Sequence, residues 1–163
     1  MGLFADAPRQ SFKRAHKLIE KVLGALGANP EPLEAMPTAE GAGESVAWQF
    51  TRGSAVVSVF LNSAGAGATS YVRAVAPIVR LPDKNVTAAY RRLLELNAKE
   101  LVGFAFGLIG EDVVLVAERS TADLDESEVE QMLRALGDTA DHFDDKLAAE
   151  FGVKRPAAGR AGG

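Results

Sequence analysis

The chain has 163 residues, 47% hydrophobic and 25% charged, with a net charge of −4 and no cysteine. That balance is ordinary for a folded domain, and the absence of thiols excludes disulfides and thiolate metal or nucleophile sites. No apolar run approaches the roughly 20 residues of a membrane helix, and residues 1–8 lack the charged start and apolar centre of a secretory signal. A cytoplasmic address and no membrane partner are therefore expected. One core is expected over residues 9–152, between a flexible start at 1–8 and a disordered tail at 153–163.

Residues 9–27 set Phe12, Ala15, Ile19, Val22, Leu23 and Leu26 at helical spacing, which predicts a helix with one buried stripe. Arg9, Lys13, Arg14, Lys17 and Lys21 occupy its other side. Gly27 and Pro30 stop the helix, and a connection containing several prolines and glycines runs on to Gly43. Val46, Trp48 and Phe50 then alternate with Ala47, Gln49 and Thr51 as in a strand with one buried face, while 55–61 reads as a nearly all-apolar strand. Arg52, Gly53 and Ser54 predict the hairpin turn between them. After a flexible loop at 63–68, a third strand runs through Tyr71, Val72, Arg73 and Val75. Its Pro77 cannot donate to a ladder, so this strand is expected at a sheet edge or to break there.

Residues 83–98 predict a second helix, on which Val86, Ala89, Tyr90, Leu93, Leu94 and Leu96 span about 160°. A single sheet contact needs less than that, so the spare surface requires another helix of the chain or a second copy of it. Tyr90, Leu93 and Leu94 are the expected subunit contacts. Segments 101–109 and 113–120 predict a hairpin, and 126–151 a long helix opened by an Asp125–Glu128 capping box and a Leu124–Val129 staple. Val129, Leu133, Leu136, Ala140, Phe143 and Leu147 form a narrow apolar seam along its length of about 40 Å.

Reactive chemistry is sparse. His16 and His142 lie on different predicted helices without a nucleophile in a recognisable setting. Asp138 and His142 stand one helical turn apart, but two ligands do not make a metal site. The Gly65, Gly67 loop leads into a strand, whereas a phosphate cradle needs a helix N-terminus. No catalytic residue, metal or cofactor is expected. Charge is the remaining signal: the basic first helix faces a final segment rich in acids such as Asp138, Asp141, Asp144 and Asp145. A ridge of that kind suits the chain's own acidic helix, an acidic protein partner or nucleic acid.

The run Leu93-Leu94-Glu95-Leu96-Asn97-Ala98, the Gly103-Phe104 strand, the Val113-Val114-Leu115 strand after Gly110, and the acidic lead into a helix with Ala140, Phe143 and Leu147 resemble the YbjN family. That family has the fold of type III secretion chaperones. The resemblance implies an α+β domain with the order helix, three strands, helix, two strands, helix and a twisted antiparallel sheet, usually homodimeric and without catalytic residues. Secretion chaperones hold an extended effector segment along helix and sheet surfaces. The expected function is a non-enzymatic protein-binding module, chaperone-like or regulatory, that acts as a homodimer and holds a segment of a partner protein. Lys13, Lys17, Trp48, Phe60 and Tyr71 are its expected contacts. The alternative is a nucleic-acid-associated accessory protein using the basic first helix. The chain departs from small secretion chaperones in its proline-rich 28–43 connection and its Arg160 tail.

Overall fold

The computed structural model describes residues 7–30, 32–33, 43–63 and 69–156, with side chains from residue 11 onward. Residues 1–6 of the expected flexible start, most of the proline-rich connection, the loop at 64–68 and the tail from 157 lie outside the described residues. Among the described residues three helices and five strands follow in the expected order: α1 (Ala7–Ala25), β1 (Ser45–Arg52), β2 (Ala55–Ser63), β3 (Ser70–Arg80), α2 (Val86–Lys99), β4 (Ala105–Ile109), β5 (Asp112–Ser120) and α3 (Glu126–Phe151). The strands form one antiparallel sheet in the order β1-β2-β3-β5-β4.

That order corrects the expectation for the third strand. β3 lies between β2 and β5, so Pro77 sits in an interior strand. A missing N–H forfeits one ladder bond, worth about 1 kcal/mol net. Burial of Val72, Ala74, Val75, Ala76, Ile78 and Val79 outweighs it, since each such side chain contributes about 1 kcal/mol or more.

The chain divides into two compact units. The first draws on Met1–Phe50, Ser58–Ala74 and Glu118–Leu133. Here α1 buries Phe12, Ala15, Ile19, Val22 and Leu23 of the stripe expected of it, while Leu26 falls just past the end of the helix and is only half-buried. His16 meets the Trp48 ring edge-on at 5.1 Å, and the Trp48 indole N–H donates to the Pro30 carbonyl at 3.1 Å. Leu33 bridges to the outer side of β1, its amide donating to the Ala47 carbonyl at 2.7 Å. At the start of α3, Asp125 caps through the Ser127 amide (2.7 Å) and hydroxyl (2.5 Å), with the expected Glu128 amide as a further donor to its carboxylate. Glu128 reaches back to the Asp125 amide at 3.4 Å, and the buried Leu124 and Val129 complete the staple.

The second unit draws on Thr51–Val57, Val75–Ala117 and Arg134–Gly163. Phe106 of β4 pairs with Leu115 of β5 and packs edge-on against Phe143 of α3 at 5.3 Å. Helix α2 starts at Val86, three residues later than expected, because the left-handed Asn85 before it (φ 58°) keeps the helical backbone from extending further back. The β1–β2 turn is clamped by the acidic face of α3. Arg52 donates to Asp138 at 2.5 and 3.3 Å, and the Ser54 amide donates to Asp141 at 2.6 Å. The Ser54 hydroxyl lies 2.7 Å from Asp141 Oδ1 and 2.6 Å from Asp144 Oδ2. Past α3, the Val153 amide returns to the Ala148 carbonyl at 3.0 Å, and Arg155 pairs with Asp144 at 3.0 Å and with Asp145. A Cβ at Gly53, which has φ 58°, would run into the Asp141 carboxylate.

Two outcomes follow for stability. Trp48 is fully buried, so Trp48→Ala should cost about 3–5 kcal/mol in urea unfolding, whereas a loss under about 1 kcal/mol would show that the indole is not part of the core. The amide and then the hydroxyl of Ser54 hold the Asp141 carboxyl below its ordinary range. A depressed folded-state pKa stabilises above the unfolded value, roughly pH 4, and that contribution disappears as the pH falls through the folded value. Asp141→Asn should therefore flatten the fall of Tm in acid, and an unchanged acid profile would rule out this clamp as a source of pH dependence.

Candidate functional site

Alternation along the strands separates a closed side of the sheet in the first unit from an open one. Trp48 and Phe50 are buried, while Gln49 between them is exposed. On β2, Val59 and Leu61 are fully buried, and Ser58 and Phe60 lie on the opposite side. The Gln49 amide donates to the Ser58 hydroxyl at 3.3 Å, which places Gln49, Ser58 and Phe60 on one face, away from Trp48. β3 repeats the division: Ser70, Val72 and Ala74 are buried, but Tyr71 is 41% exposed and Arg73 pairs with Glu118 of β5 across the surface at 3.1 Å. The half-buried Phe60 and the exposed Tyr71 thus stand on adjacent strands among polar side chains.

Lys13 and Lys17 belong to a different surface. They lie on the exposed side of α1, the helix whose His16 contacts Trp48. Among the described residues neither has a carboxylate partner, whereas Lys21 is held by Glu126 of α3 at 2.7 Å. The five expected contact residues therefore do not converge. Phe60 and Tyr71 look out from the sheet, Lys13 and Lys17 from α1, and Trp48 lies inside the core.

In the second unit, the wide apolar arc of α2 is split. Ala89, Leu93 and Leu96 are buried within the chain, while Tyr90 and Leu94 are 40% and 67% exposed. Of the three expected subunit contacts, Leu93 therefore serves the core and the other two are available. β4, which touches α2, adds exposed Leu108 and Ile109, and Val102 stands exposed just before it. These three were missed in the sequence because the hairpin pattern did not show that β4 lies at the sheet edge. Asp138 and His142 are not brought together as ligands: Asp138 is taken by Arg52, and the His142 ring meets Phe143 at 5.0 Å. Among the described residues no cluster of three or more histidine or acidic side chains is arranged to hold a metal. No described helix is long and apolar enough to cross a membrane.

A chain in the crystal structure of the ExsC–ExsE complex matches this fold with a TM-score of 0.56 at 18% identity, covering 83% of this chain and 95% of that one. A chain in the HopA1–SchA chaperone–effector complex matches with a TM-score of 0.52 at 11% identity, covering 83% and 97%. At these identities the likeness establishes the fold, that of type III secretion chaperones. No curated protein sequence matches the chain. The family described as T3SS (YopN, CesT) and YbjN peptide-binding chaperone 1, TY-Chap1, matches residues 37–158, most of the chain, and the protein belongs to that family.

Proposed function

We propose that the protein holds an extended segment of a partner protein without catalysing a reaction, and that it works as a homodimer in the cytoplasm. The observation that carries this reading is the exposure of aromatic and aliphatic side chains on ordered elements of a chain belonging to a peptide-binding chaperone family. An ordered, exposed aromatic offers contact area at little entropic cost, which is why such residues dominate binding energy when they become covered.

Tyr71 and Phe60 supply the apolar anchor on the sheet, with Gln49 and Arg73 around them for hydrogen bonds to an extended backbone. Lys13 and Lys17 supply a second, electrostatic contact suited to acidic residues of the partner. Because Trp48 and Phe60 face opposite ways, a segment using both surfaces passes round the β1 edge. The partner is an effector-like segment, by analogy with the chaperone–effector complex whose chain shares this fold. Subunit contact falls to Tyr90 and Leu94 of α2, whose exposed apolar surface a second copy covers.

Two measurements decide these assignments. Tyr71→Ala and Phe60→Ala should each weaken capture of the cognate segment by about 1–2 kcal/mol, five- to thirtyfold, with near-wild-type Tm. Unchanged affinity in both variants would remove the sheet face from the binding surface. Leu94→Asp should convert a dimer to a monomer in sedimentation at micromolar concentration. A wild-type chain that sediments as a monomer at every concentration would end the homodimer reading.

A further inference from the structure

Asn97 belongs to α2 and does something no other side chain of that helix does. Its carboxamide makes two hydrogen bonds to the backbone of one residue of β4: the Phe106 amide donates to Asn97 Oδ1 at 2.7 Å, and Asn97 Nδ2 donates to the Phe106 carbonyl at 3.2 Å. In an antiparallel strand the N–H and C=O of one residue point to the same side, and successive residues alternate. Phe106 therefore directs both groups away from β5, to the outer side of β4, which is an edge strand. Ala105, Gly107 and Ile109, partnered by Val116, Val114 and Asp112, direct theirs inward. Within β4, Leu108 is then the other residue whose peptide groups face outward.

A carboxamide carries one acceptor and donors, the same complement as a peptide group. Asn97 accordingly occupies the place that a residue of an added strand would take. With Phe106 sealed, the outer side of β4 retains only the Leu108 position, too little for an added strand to hold. We propose that Asn97 is a surrogate strand that closes the β4 edge, so that a second copy of the chain meets this surface through the side chains of α2 and not by joining two sheets through their β4 edges. Exposed edges of this kind, flanked here by exposed Leu108 and Ile109, invite pairing between copies unless blocked. The proposal deepens the homodimer reading by stating how the subunits do not pair, and it rests on that reading for the α2 contact alone.

The test combines amide exchange with sedimentation. In the wild-type protein the Phe106 amide should exchange at least about tenfold more slowly than that of Leu108, the effect of one hydrogen bond. Equal rates would overturn the proposal, and this comparison needs no variant to fold. Asn97→Ala should expose the Phe106 amide to exchange and shift the protein to species larger than wild type. Adding Leu108→Pro, which removes the remaining outward donor without touching the β4–β5 ladder, should restore the wild-type size. An Asn97→Ala protein of wild-type size, or larger species that persist with Leu108→Pro, would show that Asn97 merely fastens α2 to β4. A Leu94→Asp protein of unchanged size would count against the α2 contact, and the exchange rates would still judge Asn97.

Discussion

The structure depends on burying a row of small and branched side chains on the central strands. Val57, Val59 and Leu61 of β2 and Val72, Ala74, Ala76 and Ile78 of β3 are essentially inaccessible to solvent. Burial on this scale is the main favourable term in folding, and it demands helices whose apolar stripes match the sheet. α1 and α3 carry such stripes. Once that row is covered, the other side of the sheet is free to vary. Along β3 it is exposed at Tyr71 and buried at Val75 and Val79, so a surface suited to binding lies on a strand that the core holds in place.

Electrostatics does a more local job than the charge distribution suggests. The basic first helix and acidic last helix meet through Lys21 and Glu126, but Asp138, Asp141, Asp144 and Asp145 find their partners in Arg52, Ser54 and Arg155. Apart from the buried Asp144 these groups are exposed and their pairs individually weak, and together they fix the β1–β2 turn and the segment after α3. Lys13 and Lys17 are left without carboxylate partners among the described residues, which fits a role in attracting acidic segments.

Much of this was legible in the sequence. The order of elements, the seam from Val129 to Leu147 and the stripe from Phe12 to Leu23 follow from periodicity, because a 3.6-residue repeat admits only one buried face. The family was legible in short apolar motifs around Leu93 to Ala98 and Val113 to Leu115. Strand order was not: Pro77 pointed to an edge, and its interior position depends on partners distant in the chain. The same non-local cause hid the roles of Trp48, Leu93 and Asn97. Alternation gave β1 one buried face, but not which side of the sheet the helices cover, nor that Trp48 and Phe60 lie on opposite sides of it. Helical spacing showed a wide arc on α2, yet only the path of β4 separates buried Leu93 from exposed Leu94 and puts Asn97 against Phe106.

Binding of an extended segment on the ordered sheet face is tested most directly by screening a tiled library of unstructured peptides from the host proteome and mapping the amide-exchange footprint of those that bind. Bound peptides should be rich in apolar and aromatic residues, and their footprints should slow exchange in β2 and β3 around Phe60 and Tyr71. A library without binders, or footprints that leave both strands unchanged, would contradict it.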